Sequence, residues 1–447
     1  MVFDEMYGSP MTRLGTTLVG AQVVAESNTI LGLYNYIDSE AGANSQLITT
    51  VNAVSDGSAV TYYLNAGTWT STLTGDTANL KTRYFTFLDY VVRLNGTDAC
   101  KAWSGTGAWS STTAALDLAN MPVGKFGCVF KAQVVIAGVA GDPDAIRISS
   151  VVNAGGTAIS WSTGDRTIRI NPMDSSNITG LGEIGGLLII FKRFAFYRFN
   201  NRSTDADVVC DVGCSSNESI AVGGDQMFFF NENGVWMTQG AYPIRISRRV
   251  QRWIDGMSAS FYENVAGACD GKYYFCSIGD VTLDDGSTYS NVVLRYTIDT
   301  KEWAVFSYAH NFRVFASYVN SGAVQLLGGD TTARVLQLNA GLTDNGTAID
   351  FTVESHEQVF GSRGIVKEVT ERIMAYGLNP ADALLQVRID EGDWIALGSM
   401  NKAVENFLIG ETLSGHVFKF RITGTHSTAR FTLTGIELPS IELLDYA

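Results

Sequence analysis

A chain of 447 residues with 31 basic and 45 acidic side chains carries a net charge of −14, and only 17% of its residues are charged while 46% are apolar. So little charge beside so many aromatics excludes a disordered chain and a coiled coil. The acidic balance excludes a protein that grips nucleic acid broadly by its phosphates. At roughly 100–200 residues per domain, the length points to two or three domains.

No segment supplies the roughly 18 uninterrupted apolar residues of a membrane helix, and the longest apolar run, around 185–190, stops at Lys192. The opening Met-Val-Phe-Asp-Glu-Met-Tyr lacks the apolar stretch of a secretory signal, so synthesis in a cytoplasm is expected. Six cysteines are too few for a disulfide scaffold. Cys210 and Cys214 form a C-x3-C pair, but His310, His356, His416 and His426 all lie far off in sequence. Buried free thiols are expected there rather than a metal site.

In chain order, an N-terminal arm is expected over 1–20, followed by strands almost everywhere. Short alternating or aromatic-rich runs, such as 60–64, 83–92, 126–130 and 227–230, are separated by Gly, Asn, Asp and Ser. A unit of apolar strand, turn, strongly apolar strand, turn and aromatic strand recurs. Its starts fall near Ile30, Arg83, Phe126, Ile178, Ser219, Glu263 and Phe312, spaced 41 to 53 residues apart. A four-stranded propeller blade takes about 40–50 residues, and a single blade cannot cover both its faces. Residues 21–340 therefore read as a β-propeller of about seven four-stranded blades. The Asn-Gly and Asp-Gly pairs within the units are expected to form the primed hairpin turns. The irregular 39–59 stretch is expected to be a connection available for subunit contact.

One segment breaks the strand pattern. Over 243–256, Ile246, Val250, Trp253 and Ile254 recur at helical spacing and Gly256 stands at a stop position. A short inserted helix is expected, presenting Arg245, Arg248, Arg249 and Arg252. These four arginines in an acidic chain are either a solvated face or a candidate interface, with an acidic neighbour or with DNA phosphates. Beyond the turn-rich 341–346, six alternating strands over 341–447 predict a separate C-terminal β-sandwich.

No pattern for catalysis or for a cofactor stands out. There is no Gly-x-Ser-x-Gly elbow, no HExxH and no phosphate-binding Gly-x4-Gly-Lys-Ser/Thr. Asp280-Val-Thr-Leu-Asp-Asp-Gly286 has the wrong spacing for a calcium loop and reads as a polar hairpin tip. Trp69, Trp103, Trp109, Trp161, Trp303 and Trp394 fall near unit ends, where inter-blade packing outranks sugar stacking. A non-enzymatic protein is expected. A carbohydrate-binding or carbohydrate-cleaving propeller is the alternative, the latter needing two carboxylates at roughly 5–9.5 Å.

Several fragments stand in a telling order. Arg13-Leu-Gly-Thr-Thr17 precedes Ile30-Leu-Gly-Leu-Tyr-Asn-Tyr36, Leu94-Asn-Gly96 and Ala102-Trp-Ser-Gly105. Val134-Val-Ile-Ala-Gly138, Asp142-Pro-Asp-Ala-Ile-Arg-Ile-Ser149 and Trp161 come next. Ile178-Thr-Gly-Leu181, Leu188-Ile-Ile-Phe-Lys192, Val212-Gly-Cys-Ser-Ser-Asn-Glu-Ser-Ile220 and Asn233-Gly-Val-Trp236 complete the series. Together they resemble the propeller-type tail hub, or nozzle, proteins of tailed bacteriophages. The resemblance covers about 13–360 and departs from the family's pattern at Asp142-Pro-Asp and in 39–59. It implies a structural virion protein forming a homo-oligomeric ring, a hexamer with a dodecamer as the alternative, below the portal or adaptor. It further implies contacts with other tail proteins, and genomic DNA passing the channel without sequence-specific binding. No catalytic residue is implied.

Overall fold

The computed structural model describes residues 2–3, 10–25, 28–38, 44–52, 57–171, 173, 176–201, 205–320, 323–380, 383–439 and 441–444. The chain divides into two compact units, one of Leu18–Leu338 and one of Met1–Thr17 with Asn339–Ala447. The stretch set apart as an arm, 1–20, is thus shared between them.

The larger unit is a β-propeller of seven successive antiparallel sheets. The first strand of each blade is innermost. These strands are Ile30–Asp38, Arg83–Phe87, Phe126–Phe130, Ile178–Ile184, Ala221–Gly223, Ala266–Cys269 and Phe312–Asn320. Each begins within three residues of its expected start. Neighbouring blades touch through these strands, except that the fourth meets the Asn217–Ser219 turn before the fifth, and the seventh meets the first. Contact there is close enough to demand glycine. A Cβ on Gly32 would sit 2.3 Å from the Thr82 carbonyl oxygen, and one on Gly329 would sit 2.5 Å from Ile30.

The second strands explain the continuous apolar runs. Gln133–Val139, Leu187–Lys192 and Gln226–Asn231 are covered on both faces, so nearly every residue in them is buried. Alternation is lost where there is no solvent face. Aromatic pairs tie blades together. Phe228 of the fifth stacks on Tyr274 of the sixth at 4.8 Å, and Phe191 of the fourth meets Phe229 of the fifth at 4.8 Å.

Four expectations need correction. The second blade has three strands, ending with Lys101–Trp103. Its chain then runs into two short 3-10 turns whose Leu116 and Leu118 fill the core, while Trp109 stacks on Trp103 at 5.8 Å. The seventh blade takes its fourth strand, Thr16–Leu18, from the start of the chain, because its own sequence supplies only three. The backbone N–H of Val19 donates to the Val335 carbonyl, and that of Val23 to Ala333.

The 39–59 stretch is not an irregular connection where it is described. Asn44–Asn52 is the second strand of the first blade and Ser58 opens the third, while 39–43 and 53–56 lie outside the described residues. Two hairpins reverse at Asp-Gly as expected, at Asp270-Gly271 and Asp285-Gly286, but other tips fall away from Asn-Gly and Asp-Gly pairs. Leu88-Asp89, Lys131-Ala132 and Gly185-Gly186 hold the paired positive φ angles. Register between buried strands decides where the chain reverses, and Leu, Lys and Ala accept the left-handed geometry there.

In the smaller unit, strand pairing gives three antiparallel sheets about one core, a coarser description than the two-layer sandwich expected. The sheets hold five, four and three strands. Phe351, Leu385, Val387, Phe418, Phe420 and Phe431 lie at the centre of that core. Val366–Val369 and Arg372–Leu378, close in sequence, are separate strands that belong to different sheets. Arg13 of the resemblance motif is buried here, donating to both carboxylate oxygens of Asp344 at 2.8 and 2.5 Å.

All six cysteines are free thiols. Cys210 and Cys214 share an apolar cluster between the fourth and fifth blades, and Cys214 donates to the Ser216 carbonyl at 3.1 Å. Burial pushes Cys100 and Cys214 up to about 11, and Cys128 and Cys276 up to about 12. The thiolate is the reactive form. The native protein at pH 8 should therefore label about a hundredfold or more slower at these four sites than denatured chain. Fast stoichiometric labelling of native protein by a thiol reagent would contradict this.

Candidate functional site

Two charged features stand out on the propeller, and only one was expected. The expected one is the arginine segment. It is a two-residue strand, Ile244–Arg245, then a 3-10 turn, Ser247–Val250, then an α-helix of one turn and a half, Gln251–Asp255. Its apolar face holds as read, since Val250 and Ile254 are buried in the core of the fifth and sixth blades, with Ile246 and Trp253 packed against it. A single continuous helix is replaced by strand and turn because Ile244–Arg245 completes the fifth blade.

The four arginines do not form one face in the same way. Arg248, Arg249 and Arg252 are exposed and Arg245 is half-buried, donating to the Asn233 carbonyl at 3.3 Å. Arg252 makes an exposed pair with Asp285 at 3.3 Å. Asp285 sits in the hairpin tip that was read as polar rather than calcium-binding, where its carboxylate accepts from the Ser287 N–H. Among the described residues, Arg248 and Arg249 have no ion pair. Arg245 and Arg248 instead edge an open cleft of about 760 Å³ with Trp236, Tyr242 and Ile244. Tyr242 is 68% exposed and Ile244 61%, so the cleft is aromatic as well as cationic.

The second feature spans the propeller axis. Lys81 and Arg83 lie at the entrance to the second inner strand, and Glu218 lies in the 3-10 turn leading to the fifth, on the far side of the ring. Arg83 Nε donates to Glu218 Oε1 at 2.6 Å, and Lys81 Nζ to Glu218 Oε2 at 3.1 Å. Lys81 also donates to the Glu263 carbonyl before the sixth inner strand, and Arg83 to the Lys125 carbonyl before the third. Four blade entrances, the second, third, fifth and sixth, are thereby tied together across the axial hole. The arrangement works as a plug.

Electrostatics follow from one carboxylate among several cations. Burial opposes charge on Glu218, but Arg83 and Lys81 outweigh it through their charges and hydrogen bonds and hold the carboxyl at about 2. Lys81 is lowered, by burial first and by the nearby Arg83 and Arg313, against the pull of Glu218. Sequence reading missed this cluster. Its signal was a charged residue at the start of several repeat units, which carries no meaning until the ring brings those starts together.

Among the described residues no three His, Cys, Asp or Glu side chains gather as a metal set. His310 pairs instead with the buried Asp330 at 3.1 Å, and Asp330 is held low, burial notwithstanding, by hydrogen bonds from His310, Thr332 and Arg334. This network closes the Asp330 turn of the seventh blade. It is structural.

No family model matches this chain, and no curated protein does. Similar solved structures include YCF48 bound to D1 peptide, at 10% identity and a TM-score of 0.42, over 76% of this chain and 98% of that one. Saccharomyces cerevisiae Sqt1 aligns at 8% identity and a TM-score of 0.42, over 73% and 99% of the two chains. The β-propeller domain of the Trilobed protease from Pyrococcus furiosus aligns at 8% and 0.41, over 70% and 96%.

Proposed function

We propose that this chain is a structural, non-enzymatic subunit of a tailed-phage tail hub or nozzle, made in the host cytoplasm and assembled into the virion tail. The observation that carries this reading is the ordered series of motifs from Arg13 to Trp236. Those from Ile30 onward fall on the first five blades in succession, so the likeness follows the framework rather than one patch. In this reading the subunits form a homohexameric ring that docks on portal or adaptor proteins and on other tail parts. On the same reading genomic DNA passes between subunits rather than along a propeller axis, which the Lys81–Glu218–Arg83 pairs span. A net charge of −14 suits a channel wall that DNA slides past without sticking.

The alternative of a carbohydrate-binding or carbohydrate-cleaving propeller calls for an exposed aromatic platform. All eight tryptophans are at least partly covered, and Trp69, Trp103 and Trp303 spend their indole N–H groups on backbone carbonyls. The structural reading is therefore preferred.

A closed ring needs a heterologous interface, and the arginine edge of the fifth blade is its candidate cationic half. Changing Arg245, Arg248, Arg249 and Arg252 together to Gln should weaken ring assembly or genome retention. The isolated subunit should lose little stability, since exposed charges contribute about 0–1 kcal/mol each. Unchanged particle yield and DNA content would return the segment to a solvated face. Cryo-EM of the virion tail tests the whole reading. Six copies below the portal would support it, whereas a single copy at the tip, a capsid-surface position or absence from the virion would overturn it.

A further inference from the structure

Beside the axial plug lies a cavity of about 310 Å³ whose polar lining is Thr29, Asn52, Asn79, Lys81, Asn264 and Arg313. Its charged members are two cations, and no carboxylate lines it among the described residues. Glu218, the carboxylate that pairs with Lys81, is shared with Arg83. Arg313 is the revealing residue. It stands on the innermost strand of the seventh blade, half-buried, with its guanidinium over the Phe261 ring at 4.5 Å. Among the described residues it has no hydrogen bond and no ion pair. Asp280 attracts it from beyond ion-pair distance, and burial lowers its proton affinity. Five N–H donors in a fixed fork are left for something else.

The neighbouring amides offer donors as well. Asn79 spends its side-chain oxygen and its backbone N–H on Asn52, leaving its amide NH₂ for the cavity. Asn264 has no partner among the described residues. Arg313, half-buried with no ion pair among the described residues, and Lys81, whose one carboxylate is shared with Arg83, leave a net positive charge at the cavity that a bound anion offsets.

We propose that this axial cavity binds a small polyoxygen anion, a phosphate or a carboxylate, held by Arg313 and Lys81 with Asn79 and Asn264 as neutral donors. The volume admits a phosphate or a short dicarboxylate and excludes a nucleic-acid strand. The site stands on the propeller alone and does not depend on the tail-hub reading.

The test uses the full chain at pH 7 and constant ionic strength, titrated with inorganic phosphate, with succinate and with chloride. Heat of binding and melting temperature are followed together. A saturable response to phosphate or succinate beyond chloride is expected, since a ligand of the native state alone raises its stability with concentration. Whichever anion saturates at the lower concentration names the source. Arg313→Gln should weaken that binding about tenfold or more, because hydrogen bonds to a charged group are being lost. Asn264→Asp places a carboxylate in the cavity; it should abolish the response while keeping the fold, so the proposal stays testable if Arg313→Gln folds poorly. Lys402→Gln, exposed and outside the cavity, should change nothing. No response beyond chloride, or an undiminished one in Arg313→Gln or Asn264→Asp, would overturn the proposal.

Discussion

Replacing Glu218 by Gln should destabilise the propeller by about 3–5 kcal/mol at pH 7, the usual cost of removing one partner of a buried ion pair. The loss is large because Lys81, Arg83 and Arg313 would then crowd one end of the axis without a carboxylate. The same residue sets an acid limit. Its carboxyl is held at about 2, below its ordinary value near 4.5. A depressed carboxyl contributes stability that is fully present above the unfolded pKa and is lost as pH falls through the folded one. The window therefore runs from about pH 4.5 down to about pH 2. At 1.36 kcal/mol per unit the contribution lost across it is about 3 kcal/mol. Lys81 adds no slope there, since it is protonated in both states at acid pH. Urea unfolding at pH 7, 4.5, 3 and 2 checks both statements. Wild type and Glu218→Gln should differ most at pH 7 and converge by pH 2. Parallel pH profiles would show that the cross-axis pair is not formed.

A variant starting at Val24 should lose about 3–6 kcal/mol and associate with itself. The missing segment holds Thr16–Leu18, the fourth strand of the last blade, and the N–H groups that Val19 and Val23 donate to Val335 and Ala333. Leu327 and Val335 are fully buried in the cluster that Val19 and Val23 help to form. Uncovering two such side chains costs roughly 1.5–3 kcal/mol each, against a total stability of about 5–15 kcal/mol for a typical domain. The freed edge is also a template for pairing with another chain. Light scattering should show oligomers, and a peptide of residues 10–23 added in trans should reduce them. Val19→Pro in the full chain removes one ladder donor and should cost only about 1 kcal/mol. A truncated variant as stable and monomeric as the full chain would mean that the strand does not hold the ring.

Much of the frame was legible in local chemistry. Inner strands begin within three residues of positions read from repeat spacing, because each blade is one hairpin-rich unit whose turns and apolar runs lie close in sequence. The helical face of Val250 and Ile254 was legible for the same reason. Less legible was the second blade, where nothing in Ser104-Gly-Thr-Gly-Ala-Trp109 announces that the fourth strand gives way to turns. Some hairpin tips, Leu88-Asp89 and Lys131-Ala132 among them, were misplaced because strand register, a property of two paired segments, outweighed the preference of Asn-Gly for a turn.

By itself, then, the sequence determined an all-β, acidic chain of seven repeat units with a distinct C-terminal part, since alternation, turn residues and charge balance act over a few residues at a time. Only the tertiary structure decided which distant charges meet. Arg83 and Glu218 are 135 positions apart, and no local pattern pairs them. They face each other because closing seven blades into a ring gathers the starts of the inner strands around one axis. There the cost of burying a charge selects opposite partners for Glu218, while Arg313 has no ion pair among the described residues.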